Sequence, residues 1–117
     1  YPLGGVYGVP HGIGNGLLLP YVLGFEKDEI APDIAMVYDY VNRGVSSSDS
    51  GYKAERFIEG IRGFLERFSI PGLRKFNVDP SSFQQLAKDA LQVAVPIANN
   101  PVPVTEKDII DIYSRAY

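Results

Sequence analysis

His11 is the only histidine in a chain that has no cysteine. It is therefore the one residue able to offer a neutral nitrogen to a metal or to move a proton near neutral pH. It follows Pro10, and Gly8, Gly12, Gly14 and Gly16 surround it. Glycines remove side chains, so a ligand or another domain could approach the backbone there. Asn15 lies four residues on, about one helical turn, and can turn its amide to the same space. Pro10 leads into a helix, which places His11 near a helix N-terminus. That end favours anions and the neutral imidazole.

Two readings of these residues stand side by side. In one, His11 ligates a metal; in the other, it is a surface residue among packing glycines. A metal site needs several protein ligands, usually three or more. No second histidine, H-E-x-x-H or E-x-x-H pattern supplies them, so a closed site from this chain alone is not expected. Gly12, Gly14 and Gly16 spell G-x-G-x-G, but the dinucleotide fingerprint is G-x-G-x-x-G between a strand and a helix. No strand pattern precedes these glycines, and direct phosphate binding by them is not expected. Ser47, Ser48 and Ser50 read as loop residues rather than nucleophiles, because no histidine beside them serves as a base.

The elements that must position His11 read as helices throughout. A first helix is expected from about His11 to Phe25, with Leu17, Leu18, Tyr21, Val22 and Phe25 on one face and a kink at Pro20. A second is expected from Glu29 to Arg43, carrying Ile30, Ile34, Val37, Tyr38 and Val41. The stretch 44–51, rich in serine and glycine, reads as a surface loop. The third helix, Tyr52 to Phe68, shows a stripe of Phe57, Ile61, Phe64 and Phe68, which is expected at the centre of the core. On its wet side Glu59 can pair with Arg62, and Arg62 with Glu66, each pair worth about 0.2–0.5 kcal/mol. SIPG stops it, and LRKF forms a short turn.

Asp79 and Pro80 start a fourth helix as N-cap and first residue. That helix carries Phe83, Ala87, Ala90 and Ala94, and Asn99, Asn100 and Pro101 end it. Thr105 and Asp108 form an acidic variant of the capping box for a last helix from Glu106 to Ala116. No segment alternates like a strand. The fold class expected is an all-α helical bundle.

The 117 residues suit one domain, 1–117, or a fragment of one. Eleven basic and fourteen acidic residues give a net charge of -3, with no basic footprint for nucleic acid. The longest apolar run, LLLPYVL, is far short of the roughly 20 residues that span a bilayer. No membrane partner is expected, and the cytoplasm is the expected compartment. The chain opens on Tyr1 in an apolar, glycine-rich stretch, where a terminus is usually polar. A piece of a longer chain or a processed product is expected.

Three stretches then resemble the iron-containing, or group III, alcohol dehydrogenases. YPLGGVYGVPHGIGNGLLLPYVLGF at 1–25 is similar to the family's P-H-G-x-x-N-[AG]-x-L-L-P-x-V-x-x-F pattern. NNPVPVTEKDIIDIYSRAY at 99–117 resembles its C-terminus, and SIPGLRKFNVD resembles its G-[IV]-P-x-x-L segment. The resemblance implies the last portion of the dehydroquinate synthase-like α-domain, which follows an α/β nucleotide-binding domain not contained in this chain. It implies reversible hydride transfer between NAD or NADP and a small alcohol or carbonyl compound. It implies Fe(2+), with zinc as the other metal, held by one aspartate and three histidines. His11 matches the last of these ligands; the preceding one would fall four residues before Tyr1. Asn15 is the candidate cleft residue, and no residue is assigned to the nicotinamide cofactor, which the preceding domain in cis would bind. A homo-oligomer is a further expectation, and the 117-residue chain alone is expected to be inactive. The sequence departs from the family pattern at three places: Tyr1 stands where many members carry a second histidine, Gly16 replaces alanine, and Val102 replaces the arginine of N-P-R. The alternative function is a non-enzymatic helical scaffold or interaction module using the same apolar faces.

Overall fold

A computed structural model describes residues 1–43 and 48–117. Ser46 and Ser47 of the serine-rich loop lie outside the described residues. The chain forms α1 (Pro2–Tyr7), α2 (His11–Val41), α3 (Ser50–Arg67), α4 (Phe83–Leu91), α5 (Ala94–Ala98) and α6 (Glu106–Arg115), with 3-10 turns at Leu73–Phe76 and Pro80–Ser82. Among the described residues there is no strand, and the fold is an all-α bundle.

The two helices expected between His11 and Arg43 are one continuous element of 31 residues. Pro20 and Pro32 both lie inside it. Each removes one backbone hydrogen bond and crowds the carbonyl four residues earlier, at Gly16 and Asp28. The helix bends rather than breaks. Gly16 and Asn42 would stand about 39 Å apart on a straight helix. Both line one cavity with the Arg56–Leu65 stretch of α3, which is only about 14 Å long. Helix α2 is therefore an arch, and α3 packs into its concave side. Lys27 Nζ to Glu55 Oε1 at 2.9 Å and Lys53 Nζ to Asp39 Oδ2 at 2.6 Å tie the two together.

The core lies elsewhere than the sequence pattern suggests. Leu73, Leu86 and Val78 are essentially inaccessible, and Leu17, Phe83 and Tyr113 close around them. The expected central stripe of α3 is not central. Phe64 and Phe68 are 60% and 59% exposed, and Phe57 and Ile61 are half-buried. The side of α3 that is buried carries Ala54 and Ile58 instead. The stripe faces the hollow of the arch, an open apolar groove of about 580 Å³. The wet face differs as well: Glu59 pairs with Arg56, while the guanidinium of Arg62 lies 5.9 Å from the Tyr21 ring. On the second arm of α2 only Ile34 of the expected stripe is buried, and Val37 and Val41 are exposed.

Helix α4 ends at Leu91, whereas it was expected to run through Ala94 to a stop at Asn99. Ala94 is exposed and opens α5, whose Pro96 cannot donate to the carbonyl of Gln92. The capping box stands as expected, while Asp79 caps a 3-10 turn rather than α4 itself. Asp79 accepts from Ser81 N–H at 2.9 Å and starts the 3-10 turn that runs into α4. Thr105 and Asp108 form the reciprocal box at the start of α6. These hydrogen bonds hold both carboxyls below the usual carboxylate range. Helix α6 buries Ile109, Tyr113 and Ala116 against α4. Leu73 N–H donates to Ala116 O at 3.0 Å, and a Cβ on Gly72 would stand 3.0 Å from that same oxygen.

Glu26 of α2 is 7% exposed. Loss of hydration raises its carboxyl above the ordinary value of 4.5, and a hydrogen bond with Asn100 offsets part of that. Because the folded-state value is raised, its contribution favours folding at low pH and is lost as pH rises through the folded value. Glu26→Gln is accordingly expected to stabilise the chain at pH 7, and the gain over wild type should vanish below about pH 4, read by urea unfolding across pH. Denaturation also checks the core: Leu86→Ala should cost about 2–5 kcal/mol, and Phe64→Ala less than about 1 kcal/mol.

Candidate metal-ligand pocket around His11

The pocket is built by a chain reversal that the sequence reading did not include. Pro2 suits the first turn of α1, where its missing N–H leaves no acceptor unsatisfied. The helix stops at Gly8, which takes a left-handed conformation with φ 65° and ψ 21°. Gly8 N–H donates to Gly4 O at 3.1 Å, and Val9 N–H reaches Leu3 O at 3.3 Å. A side chain at Gly8 would be strained there. The reversal folds Leu3 and Val9 together, and both are buried. Tyr7 anchors the other side of α1, its hydroxyl donating to Ser82 Oγ at 2.8 Å and accepting from Asp79 N–H at 3.3 Å.

Pro10 is extended, with ψ 133°, and its carbonyl accepts from Gly14 N–H at 2.8 Å. His11 is therefore the first residue of α2, at the positive end of the helix, as its proline-led context implied. The reversal returns Tyr1 to His11, with ring centroids 5.6 Å apart and the planes tilted by 39°. Asn15 Nδ2 lies 3.0 Å from His11 Nε2. Tyr1, His11 and Asn15 surround a pocket of about 230 Å³ floored by Leu3, Val9 and Leu18. The structure thus brings together the two residues singled out by type and spacing, and it adds Tyr1 and the apolar floor.

The glycines divide by role. Gly8 permits the reversal, and a Cβ on Gly14 would lie 3.4 Å from Val9 Cγ1. Gly16 faces Leu65 of α3 rather than the pocket, and Gly12 meets nothing within 4 Å. Gly12, Gly14 and Gly16 all lie inside α2. The α1 reversal was legible in Pro2 at the start and Gly8 at the end of a six-residue segment. Its brevity and its glycine content hid it, since four to six residues show no helical period.

Among the described residues, no three His, Cys, Asp or Glu side chains come together as a metal cluster. The donor chemistry present fits one corner of a metal site. His11 is exposed, and a neutral imidazole is an ordinary ligand for iron or zinc. His11 is the one such side chain among the described residues that lines this pocket. No helix among the described residues is long and apolar enough to cross a membrane.

Comparison with known proteins gives a consistent result. The family described as "Fe-containing alcohol dehydrogenase family, C-terminal" matches residues 1–117. The long-chain-alcohol dehydrogenase 1 of Geobacillus thermodenitrificans is 32% identical over 100% of this chain and 30% of its own length. The NAD-dependent methanol dehydrogenase of Bacillus methanolicus is 30% identical over 99% of this chain and 30% of its own. A crystal structure of 1,3-propanediol oxidoreductase superposes with a TM-score of 0.91 at 27% identity, over 99% of this chain and 30% of that one. The chain thus spans under a third of the length of these relatives.

The reversal predicts the behaviour of Gly8→Ala. Holding a non-glycine residue left-handed should cost about 1–2 kcal/mol in unfolding experiments. The same variant should loosen the Tyr1–His11 contact, seen as movement of the His11 ring proton shifts toward solvent-exposed values. Unchanged shifts and stability would show that the pocket does not depend on this turn.

Proposed function

This chain belongs to the iron-containing alcohol dehydrogenase family, and on that premise we propose that it is the closing part of the helical domain of a metal-dependent, NAD(P)-linked alcohol dehydrogenase. The observation that carries the reading is the placement of the motif histidine. His11 sits exposed at the head of α2, in a pocket with Asn15 and Tyr1. One imidazole holds one position of a metal; the other ligands come from the preceding part of a longer polypeptide.

His11, exposed at the first turn of α2, would hold Fe(2+) or Zn(2+) through a ring nitrogen. When bound, the metal supplies Lewis acidity to the oxygen of an alcohol or carbonyl substrate. Leu3, Val9 and Leu18 form an apolar floor that limits water on one side of the ring. Asn15 offers the pocket's amide, next to the ring. A preceding nucleotide-binding domain would hold NAD or NADP, and the cofactor would supply the hydride chemistry. The names of the relatives span a long-chain alcohol, methanol and 1,3-propanediol.

Metal analysis of the full-length protein tests the reading. Wild type is expected to carry stoichiometric iron or zinc, and His11→Ala to lose most of it along with dehydrogenase activity. Stoichiometric metal retained in His11→Ala would overturn the assignment. The isolated 117-residue chain is expected to show no dehydrogenase activity and no stoichiometric micromolar NAD or NADP binding by calorimetry.

A further inference from the structure

The hollow of the arch is an apolar feature that the site around His11 does not use. Leu19 on the first arm of α2, Val41 on the second and Phe64 of α3 line it, and they are 42%, 65% and 60% exposed. Phe57 and Ile61 line it half-buried. Arg56 is the one charged side chain among the described lining residues, and Glu59 already pairs with it. A contiguous apolar surface of this kind marks a contact.

Gly60 says what kind of contact. It lines the hollow from within α3, and a Cβ there would meet nothing within 4 Å. A glycine inside a helix weakens it, and no described residue uses the space this one leaves. A second helix laid in the hollow would use that space, its backbone coming close where the side chain is missing. The position of the hollow says where the helix comes from. His11, Asn15 and Leu19 recur every four residues along α2, so the hollow opens on the face that carries the His11 pocket, about 12 Å further along the axis. Tyr1 lies against His11, with ring centroids 5.6 Å apart. About four extended residues ahead of Tyr1 span the distance to Leu19. A second copy of this chain fits less well. A two-fold contact sets one patch against itself, and two hollows face to face leave a void.

We propose that the hollow between α2 and α3 seats an amphipathic helix from the segment that precedes Tyr1 in the longer polypeptide. The inference rests on reading this chain as the closing part of such a polypeptide, and not on the metal. The relatives have ample chain for the helix, since this chain spans only 30% of their length. One helix then packs on both arms of the arch and on α3. The exposed stripe of α3 becomes core only in the whole protein.

Hydroxyl-radical footprinting of the wild-type, full-length protein reads the hollow without any substitution. Phe64 and Phe83 are chemically identical targets, and in this chain they are 60% and 6% exposed. With the helix seated, Phe64 is expected to oxidise as slowly as Phe83. Oxidation about tenfold faster, the ratio of those exposures, would overturn the proposal. Photo-cross-linking identifies the occupant. With benzoylphenylalanine in place of Phe64, the linked peptide is expected from the same chain, ahead of Tyr1. A link to an isotope-labelled second chain, a link within residues 1–117, or a protected Phe64 with no linked peptide would each overturn it. The footprint and the metal fail separately. Metal retained in His11→Ala leaves a protected Phe64 as it is, and an open Phe64 beside His11-dependent metal removes the docked helix alone.

Discussion

Helix α2 forgoes two backbone hydrogen bonds, at Pro20 and Pro32, and the architecture around it follows from that loss. A straight helix of this length would have touched α3 along one short crossing. The arch instead wraps α3 from both arms and holds it with two ion pairs. Pro20 is among the most deeply buried side chains of the molecule, so the kink is set inside the packing rather than at a surface bend. Gly16, whose carbonyl Pro20 crowds, has room to adjust and brings α2 close to Leu65. The first turn of the same helix carries His11, which links the rigid arch to the pocket.

A second constraint closes the bundle at its far end. Gly72 lets the turn after α3 lie against the last carbonyls of the chain, where a methyl group would be tight against backbone oxygen. Tyr21 of α2 receives Arg62 of α3 and Arg115 of α6 at 5.9 and 5.7 Å, and Arg74 lies 4.7 Å from the ring of Tyr117. These contacts tether three helices through aromatic faces while the guanidinium groups remain near water. The Arg62–Tyr21 contact, with the two ion pairs to α2, keeps α3 seated although much of its aromatic stripe is exposed.

The pocket depends on both ends of this arrangement. Helix α1 is too short to be stable alone. Leu3 and Val9 anchor it in the core, and Tyr7 ties it to the start of α4 through Ser82. The left-handed turn at Gly8 then converts that anchoring into a fixed place for Tyr1 beside His11. The chemistry available at His11 is accordingly set by a buried scaffold on one side and by Asn15, one turn along the same helix, on the other.

Local rules gave the helical class, the capping box at Thr105 and Asp108, the cap at Asp79 and the shared face of His11 and Asn15. Each depends on residues within four positions of one another, where sequence spacing and spatial distance are the same thing. The motif around His11 also carried the family, because it is a contiguous stretch of sequence. The continuity of α2, the phase of α3 and the place of Tyr1 were decided only in three dimensions. The break expected between Phe25 and Glu29 does not occur: α2 runs through it, and its residues on both sides find partners on α3. An aromatic stripe reads as core, yet burial depends on which surface faces it, and Phe64 faces the open hollow of the arch. Periodicity identifies a side of a helix that can be buried; the surface that buries it belongs to other parts of the fold.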